Sequence, residues 1–312
     1  MLQPQGQAQT IPLDGLVREI QRTRPSKSTQ LLRLIKAQPI GTAAFLILFV
    51  ITVAGVFAEW VSTQDPTAQT IRDSLKAPGF VSPRNGTLYI FGTDALGRDV
   101  YSRLVHGARI SLAVGVAAVI IGTVGGLFLG MVSGYRGGRL DMIVQRIMDA
   151  KQAIPTLIFA MMLVAVMGKA LWVTALAIGI TQIPRANRII RSNVLSVIQE
   201  QYIEAAKAMG AREGRIILQH IMPNVMAVTL IVFSTSIGGA IVTEATLSFL
   251  GLAAPPPLAT WGGMLTIQGR QYMMAAPWLL IMPAVALSLT VLAFNFLGDS
   301  IRDVLDPRLR GR

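Results

Sequence analysis

The 312-residue chain has no cysteine, two histidines and only 14% charged residues, and its 16 acidic residues are outnumbered by 28 basic ones. Without cysteine there are no disulfides, no thiolate nucleophile and no thiolate metal ligand. The two histidines, His106 and His220, are too few and too far apart in sequence to suggest a histidine-based metal centre. A phosphate-binding Gly-x4-Gly-Lys-Ser/Thr loop is also missing. The only Gly-Lys pair, Gly168-Lys169, is followed by Ala170 and has Leu163 where the first glycine belongs, so the chain has no P-loop with which to bind ATP.

What is abundant is apolar surface. Hydrophobic residues make up 52% of the chain and mean hydropathy is +0.55, which points to a bilayer rather than water as solvent. Charge-free runs cover Ala37 to Ala58, Ile110 to Tyr135, Gln152 to Gly168, Ala170 to Pro184, Ile221 to Thr243 and Gln271 to Gly298. A spanning helix needs about 20 apolar residues, which four of the runs supply outright. The pair meeting at Gly168-Lys169 is short, but the stripe Leu140, Ile143, Val144 and Ile147 keeps helical spacing and lets the third helix begin upstream. Two spans then fit there.

The basic residues set the orientation. With six spans and both termini cytoplasmic, 20 of the 28 Lys and Arg lie inside, whereas five spans would strand the basic loop around Glu204 outside. Loop placement therefore accounts for the net charge of +12, with no compact basic domain and no need for nucleic acid. The expected layout is an all-α membrane protein: a cytoplasmic tail at 1–36, a first span at 37–60, an external segment at 61–107, a five-helix core at 108–298 with a cytoplasmic loop at 185–222, and a carboxyl tail at 299–312. Ile20, Leu31, Leu32 and Leu34 give the first tail a short amphipathic stretch. The first apolar run is longer than a signal-peptide core and is expected to be a retained anchor.

Several stretches carry local signals. Gly122, Gly126, Gly130 and Gly134 repeat every four residues on one helical face, a pattern that suits close helix packing, with a pore-lining role as the alternative. Between the first two spans, Gly92 to Arg103 has Thr93 or Asp94 as a cap, with Asp94 and Arg98 at i,i+4 spacing on an expected interfacial helix that includes Gly97 and Asp99. Met161, Met162 and Gln182 are assigned to core packing or helix contact. The central portions of the spans carry no ionisable residue, so an ion-coupled pathway lacks its usual groups.

Gln201 to Met209 reads as a short cytoplasmic helix with Tyr202, Ala205, Ala206 and Met209 on one face, and with Glu200, Glu204 and Lys207 open to solvent or a partner. Gly210, followed by Ala211, lets the chain reverse, and Pro223 suits the first turn of the next span. Periodicity alone leaves open an ordinary amphipathic surface helix. The ordered set Glu204-Ala205-Ala206, Gly210 and Pro223, however, resembles the coupling loop of ATP-binding-cassette importer permeases. His220 and Met222 are departures from that pattern, and Met is close in volume to the usual Leu.

Two further stretches, together with Gly92 to Leu112, are similar to the dipeptide, oligopeptide, nickel and glutathione branch of that family, in its second or C-type subunit. One is Glu244-Ala245-Thr246-Leu247-Ser248-Phe249-Leu250-Gly251-Leu252 followed by Pro255-Pro256-Pro257 and Trp261-Gly262; the other is the tail from Leu297 to Arg310 with Asp306-Pro307-Arg308.

The resemblance implies a type I importer permease fold in the bacterial inner membrane. It also implies a homologous second permease as heterodimer partner, an external solute-binding protein, and two cytoplasmic ATPases that carry the ATP and Mg, leaving this chain without a cofactor or a reaction of its own. Tyr202, Glu204, Ala205, Ala206, Met209, Gly210 and Ala211 are then ATPase-coupling residues. Asp94, Gly97, Arg98, Asp99, Glu244, Ser248, Phe249, Gly251 and Trp261 belong to external or gate segments. Peptides are the expected cargo, with nickel, glutathione, an opine or an oligosaccharide as alternatives within the class, and a secondary transporter, a channel or a non-transporting scaffold outside it.

Overall fold

The computed structural model describes residues 38–84, 86–253, 255–266 and 271–305. The amphipathic stretch expected in the tail at 1–36 and the Asp306-Pro307-Arg308 end lie outside the described residues. Helices of eight residues or more are α1 Pro39–Val56, α2 Val100–Arg136, α3 Gly138–Ala153, α4 Thr156–Met167, α5 Leu171–Ile198, α6 Gln201–Ala208, α7 Met222–Phe249 and α8 Trp278–Leu305. Strands β1 Phe80–Val81 and β2 Leu88–Tyr89 form a small antiparallel hairpin between α1 and α2.

Among the described residues four helices are long and apolar enough to cross a membrane: α1, α2, α7 with its upstream turns, and α8. At ~1.5 Å per residue the 37-residue α2 extends about 55 Å, past both faces of a ~30 Å hydrocarbon core. The expected third span is different. It consists of α3 and α4, bent by 91° at Ile154-Pro155. Ile154 is extended, at φ −88° and ψ 126°, because a proline pushes the preceding residue out of the helical region.

The fourth helix departs from expectation in the opposite sense. It runs through Pro184 to Ile198, so Arg185, Arg188 and Arg191 lie on α5 and not on a loop that begins at 185. A proline inside a helix costs one hydrogen bond and crowds the carbonyl four residues back; here packing against α2 holds the flanking turns together.

Small residues set that packing. A Cβ built on Gly122 would lie 2.7 Å from the Cβ of Gln182, one on Gly130 would lie 3.0 Å from the Asn187 carbonyl oxygen, and one on Gly134 would lie 3.0 Å from Val194. The facing positions rise together along both chains, so α2 and α5 run parallel at matched depth. In return, Gly179 of α5 approaches Ile121 to 2.7 Å by the same measure. Between lipid-solvated helices no hydrophobic gain drives association, and close backbone approach supplies dispersion contacts instead.

The remaining helices assemble around this pair. Gly115 of α2 faces Ile241 of α7, Gly238 of α7 faces Asn295 of α8, and Gly55 of α1 faces the Ala108–Arg109 backbone. One buried cluster gathers Val119, Ala160, Ile178 and Ile241, and a second gathers Ile190, Val194, Ile203, Ile221 and Val225. Phe45, Phe49, Val124 and Phe128 point outward, as suits helices solvated by acyl chains.

Enlarging the α2–α5 contact therefore destabilises the bundle. Gly130→Val is expected to lower unfolding free energy by ~1–3 kcal/mol through overpacking. Gly214→Ala, where an added Cβ meets nothing within 4 Å, changes it by less than ~0.5 kcal/mol. Detergent-titrated unfolding of the two variants measures the contrast.

Candidate functional site

The short helix α6 is held at the end of the bundle where α2 and α5 finish. Ile203 and Ala206 are its buried face, packed with Val194, Ile216, Ile221 and Val225. This corrects the expected grouping: Ala206 faces inward with Ile203, whereas Tyr202, Ala205 and Met209 face outward beside Glu204. The reason is geometric, since residues three apart share a helical face and Ile203 supplies the bulk that anchors Ala206. Met209 is 82% exposed and Tyr202 43%, so an apolar strip lies uncovered on the outer side of this helix.

The helix ends in a two-bond cap. Gly210, at φ +77°, donates to the Lys207 carbonyl at 2.9 Å and Ala211 donates to the Ala206 carbonyl at 3.1 Å. This pattern needs a left-handed residue at Gly210, which a Cβ disfavours. Because no atom lies within 4 Å of an added Cβ there, backbone conformation and not crowding is what calls for glycine.

Further contacts tie α6 to its mounting. The Lys207 ammonium sits 5.7 Å from the Tyr135 ring at the end of α2, and Asn224 Nδ2 donates to the Tyr202 hydroxyl at 3.1 Å and to the His220 carbonyl at 2.6 Å. Pro223 lies in the first turn of α7, as expected, but the helical path does not begin there. A continuous helical path begins at Glu213, and a π turn at Ile217–Ile221 directly precedes Met222. A wider turn relieves the clash between a proline ring and the carbonyl one α-turn back, which lets the helix pass through Pro223 unbroken.

A second feature had no clear sequence signal. A polar cavity of about 450 Å³ opens between α2, α3, α4, α5 and α7, with Thr123, Lys151, Thr181, Gln182, Arg185 and Thr235 in its wall. Gln182 thus has a cavity face in addition to its contact with Gly122. Lys151 and Arg185, counted above with the cytoplasmic loops, line this cavity because the bend at Pro155 lays α3 against α5. Lys151 Nζ donates to the Thr181 carbonyl at 2.6 Å and lies 5.6 Å from the Phe159 ring. The Ile154-Pro155 pair was the available clue to the bend; no local pattern pairs Lys151 with a residue 30 positions away.

The segments between α1 and α2 and after α7 form a third, densely hydrogen-bonded region. Asp99 caps α2: its Oδ2 accepts from the Ser102 amide at 2.9 Å and from the Thr63 hydroxyl at 2.6 Å. The expected cap at Thr93 or Asp94 is therefore displaced to Asp99. Asp94 and Arg98 pair at 2.6 Å inside a tight loop, not along a helix, and the Asp94 carboxylate also accepts the Leu96 and Arg98 amides. Gly97, at φ +72°, lies against the Thr70 backbone.

Glu244 lies fully buried inside α7, which extends beyond the expected end at Thr243, and it accepts from the Ser248 hydroxyl at 2.6 Å. Glu244 thus belongs to the last turns of α7 and not to a loop after it. Gly251, at φ +75°, ends α7 with a cap like that at Gly210, through bonds to the Ser248 and Leu247 carbonyls. The Trp261 ring donates to the Leu104 carbonyl at 3.0 Å and its amide donates to Ser111 Oγ at 3.3 Å. The fold thereby joins Trp261 to α2, and Gly263 and Met264 to Asp94, Arg98 and Arg103; Phe249 stays partly exposed, away from both groups. Among the described residues no group of three His, Asp or Glu is placed to hold a metal ion.

Known proteins share this architecture. The chain is 36% identical over 292 residues to the dipeptide transport system permease protein DppC of Alkalihalophilus pseudofirmus, covering 94% of this chain and 93% of the relative. It is 40% identical over 281 residues to the glutathione transport system permease protein GsiD of Escherichia coli O6:K15:H31, covering 89% and 90%. The solved inward-facing MetNI methionine ABC transporter contains a chain of similar fold, at TM-score 0.52 and 21% identity, over 65% of this chain and 96% of that one. Residues 126–311, from the middle of α2 to the carboxyl tail, match the family described as the binding-protein-dependent transport system inner membrane component, and this chain belongs to that family.

Proposed function

We propose that this chain is one of two membrane-spanning halves of an ATP-driven, binding-protein-dependent importer of dipeptides or oligopeptides. Six spans carry it, namely α1, α2, the bent α3–α4 pair, α5, α7 and α8, with both termini cytoplasmic. The parallel run of α2 and α5 supports this count, because the chain must recross the bundle between them and only α3 and α4 are available to do so. A homologous permease completes the pathway, two cytoplasmic ATPases bind ATP and Mg, and an external receptor delivers cargo.

The observation that carries this reading is the exposed strip on α6. Tyr202, Ala205 and Met209 are uncovered on a helix whose other face is locked into the bundle by Ile203 and Ala206. A helix mounted in this way transmits displacement to α2, α5 and α7 instead of absorbing it. ATPase closure would move α6, α6 would move the cluster around Ile221, and the helices would rotate between inward-open and outward-open packings. Glutathione is the second cargo reading, supported by the relative that carries that name at 40% identity.

Topology is testable because the chain lacks cysteine. A single thiol at Thr87 is expected to react with an impermeant maleimide in intact spheroplasts, and one at Ala205 only after permeabilisation; labelling of Ala205→Cys in sealed cells would refute the six-span arrangement.

Coupling is tested at Met209, which packs against almost nothing and whose replacement leaves the fold intact. Met209→Glu is expected to cut ATP-dependent peptide uptake at least about tenfold, the scale of ~1.4 kcal/mol lost at a docking contact. Gly210→Trp is expected to do so through backbone strain, with the protein still inserted. Unchanged uptake in both variants would rule out α6 as the lever.

A further inference from the structure

The cavity wall has an asymmetric charge. Three arginines on α5 follow one another toward the bundle interior, and α3 runs alongside them. Arg191 pairs with Asp141 through Nε at 2.6 Å, and Arg188 pairs with Asp149 at 2.6 Å. Arg185, one turn further in, has no acidic partner among the described residues, and at the matching end of α3 the chain places a cation, Lys151, in the cavity wall. Among the described residues no Asp or Glu lines this cavity; the other polar groups there are hydroxyls and amides, including Gln152, Ser236 and Thr243.

Two cations in one cavity wall, neither paired with a carboxylate among the described residues, raise the local positive potential and favour an anion there for part of the cycle. The ion-paired Arg188 and Arg191 show that this fold neutralises α5 arginines where it has no use for their charge. The hydroxyls and amides nearby can share hydrogen bonds with a carboxylate, which accepts up to four.

We propose that Lys151 and Arg185 form a carboxylate-receiving site at mid-depth in the translocation cavity, and that the cargo is a solute bearing a free carboxylate, such as a peptide with an unblocked carboxyl terminus, and not a bare divalent cation. The substrate class rests on the importer reading above; the charge of the cavity does not. The Lys151 ammonium is held ready by the Thr181 carbonyl, and the exposed Arg185 guanidinium offers planar, two-point recognition. Binding remains reversible because the site is open and wet, so the carboxylate is passed on and not trapped.

Two measurements on the assembled transporter test this. In the first, Thr235→Cys gives the cavity the only thiol of this chain. Its rates with sulfonatoethyl and trimethylammonioethyl methanethiosulfonate are compared with those of free mercaptoethanol. The anionic reagent is expected to be favoured about tenfold, with the preference falling to within about twofold of the free thiol once Lys151→Gln and Arg185→Gln are added. No anionic preference, as would follow if an acidic residue of the partner permease neutralised the pair, overturns the proposal.

In the second, ATP-dependent uptake of trialanine is compared with that of trialaninamide through the same receptor. The acid-to-amide ratio is expected to fall about tenfold in the double variant and to recover with Lys151→Arg and native Arg185. An unchanged ratio overturns the carboxylate assignment. Failure of the unaltered complex to take up either probe would count against the importer reading, and the thiol rates would still decide the charge of the cavity.

Discussion

The parallel contact between α2 and α5 is the constraint on which the rest of this structure depends. Gly122, Gly126, Gly130 and Gly134 let α5 approach the α2 backbone, and Gly179 returns the accommodation from the other side. In lipid such contact is itself the attractive force, because acyl chains solvate apolar side chains as well as a neighbouring helix does. Two parallel neighbours also force the chain to double back across their length between them. The bent α3–α4 pair is the answer to that demand.

From the bend follow both functional features. A straight third helix would have lain beside α5 and filled the space next to it. Broken at Ile154-Pro155, it leaves an opening into which Lys151, Thr181 and Arg185 project. Its first limb meanwhile lies against the carboxyl-terminal half of α5, where Asp141 and Asp149 neutralise Arg191 and Arg188. The ends of α2 and α5 meet the cluster of Ile190, Val194 and Ile203 on which α6 is seated, so the helix presented to a partner and the helices lining the cavity belong to one packed body. The connection between α1 and α2 is held by other means, with buried carboxylates at Asp94 and Asp99 each accepting several donors.

Much of the fold was legible because hydropathy and glycine act locally. The apolar runs located α1, α2, α7 and α8, and Gly210 marked a helix end through a backbone geometry that other residues resist. Errors arose where two local rules compete. Pro155 breaks a helix whereas Pro184 and Pro223 do not, since neighbouring helices or a π turn absorb the cost at the latter two. Helical periodicity assigned Ala206 to the wrong face of α6, because with two Ala side by side the bulk of Ile203 decides which one is buried.

The sequence by itself determined that this is a helical membrane protein, that it carries the glycine stripe of a close-packed helix, and that it resembles an importer permease. These follow from hydropathy, spacing and residue type, which are properties of neighbours along the chain. Only the tertiary structure decided which face of α6 is exposed, that Glu244 is enclosed, and that Lys151 and Arg185 share a cavity that no acid lines among the described residues. Charge pairing is the physical reason: whether a basic residue meets a carboxylate, a carbonyl or open space depends on which helix the bundle brings beside it, and residues thirty or fifty positions apart carry no mark of that in their order.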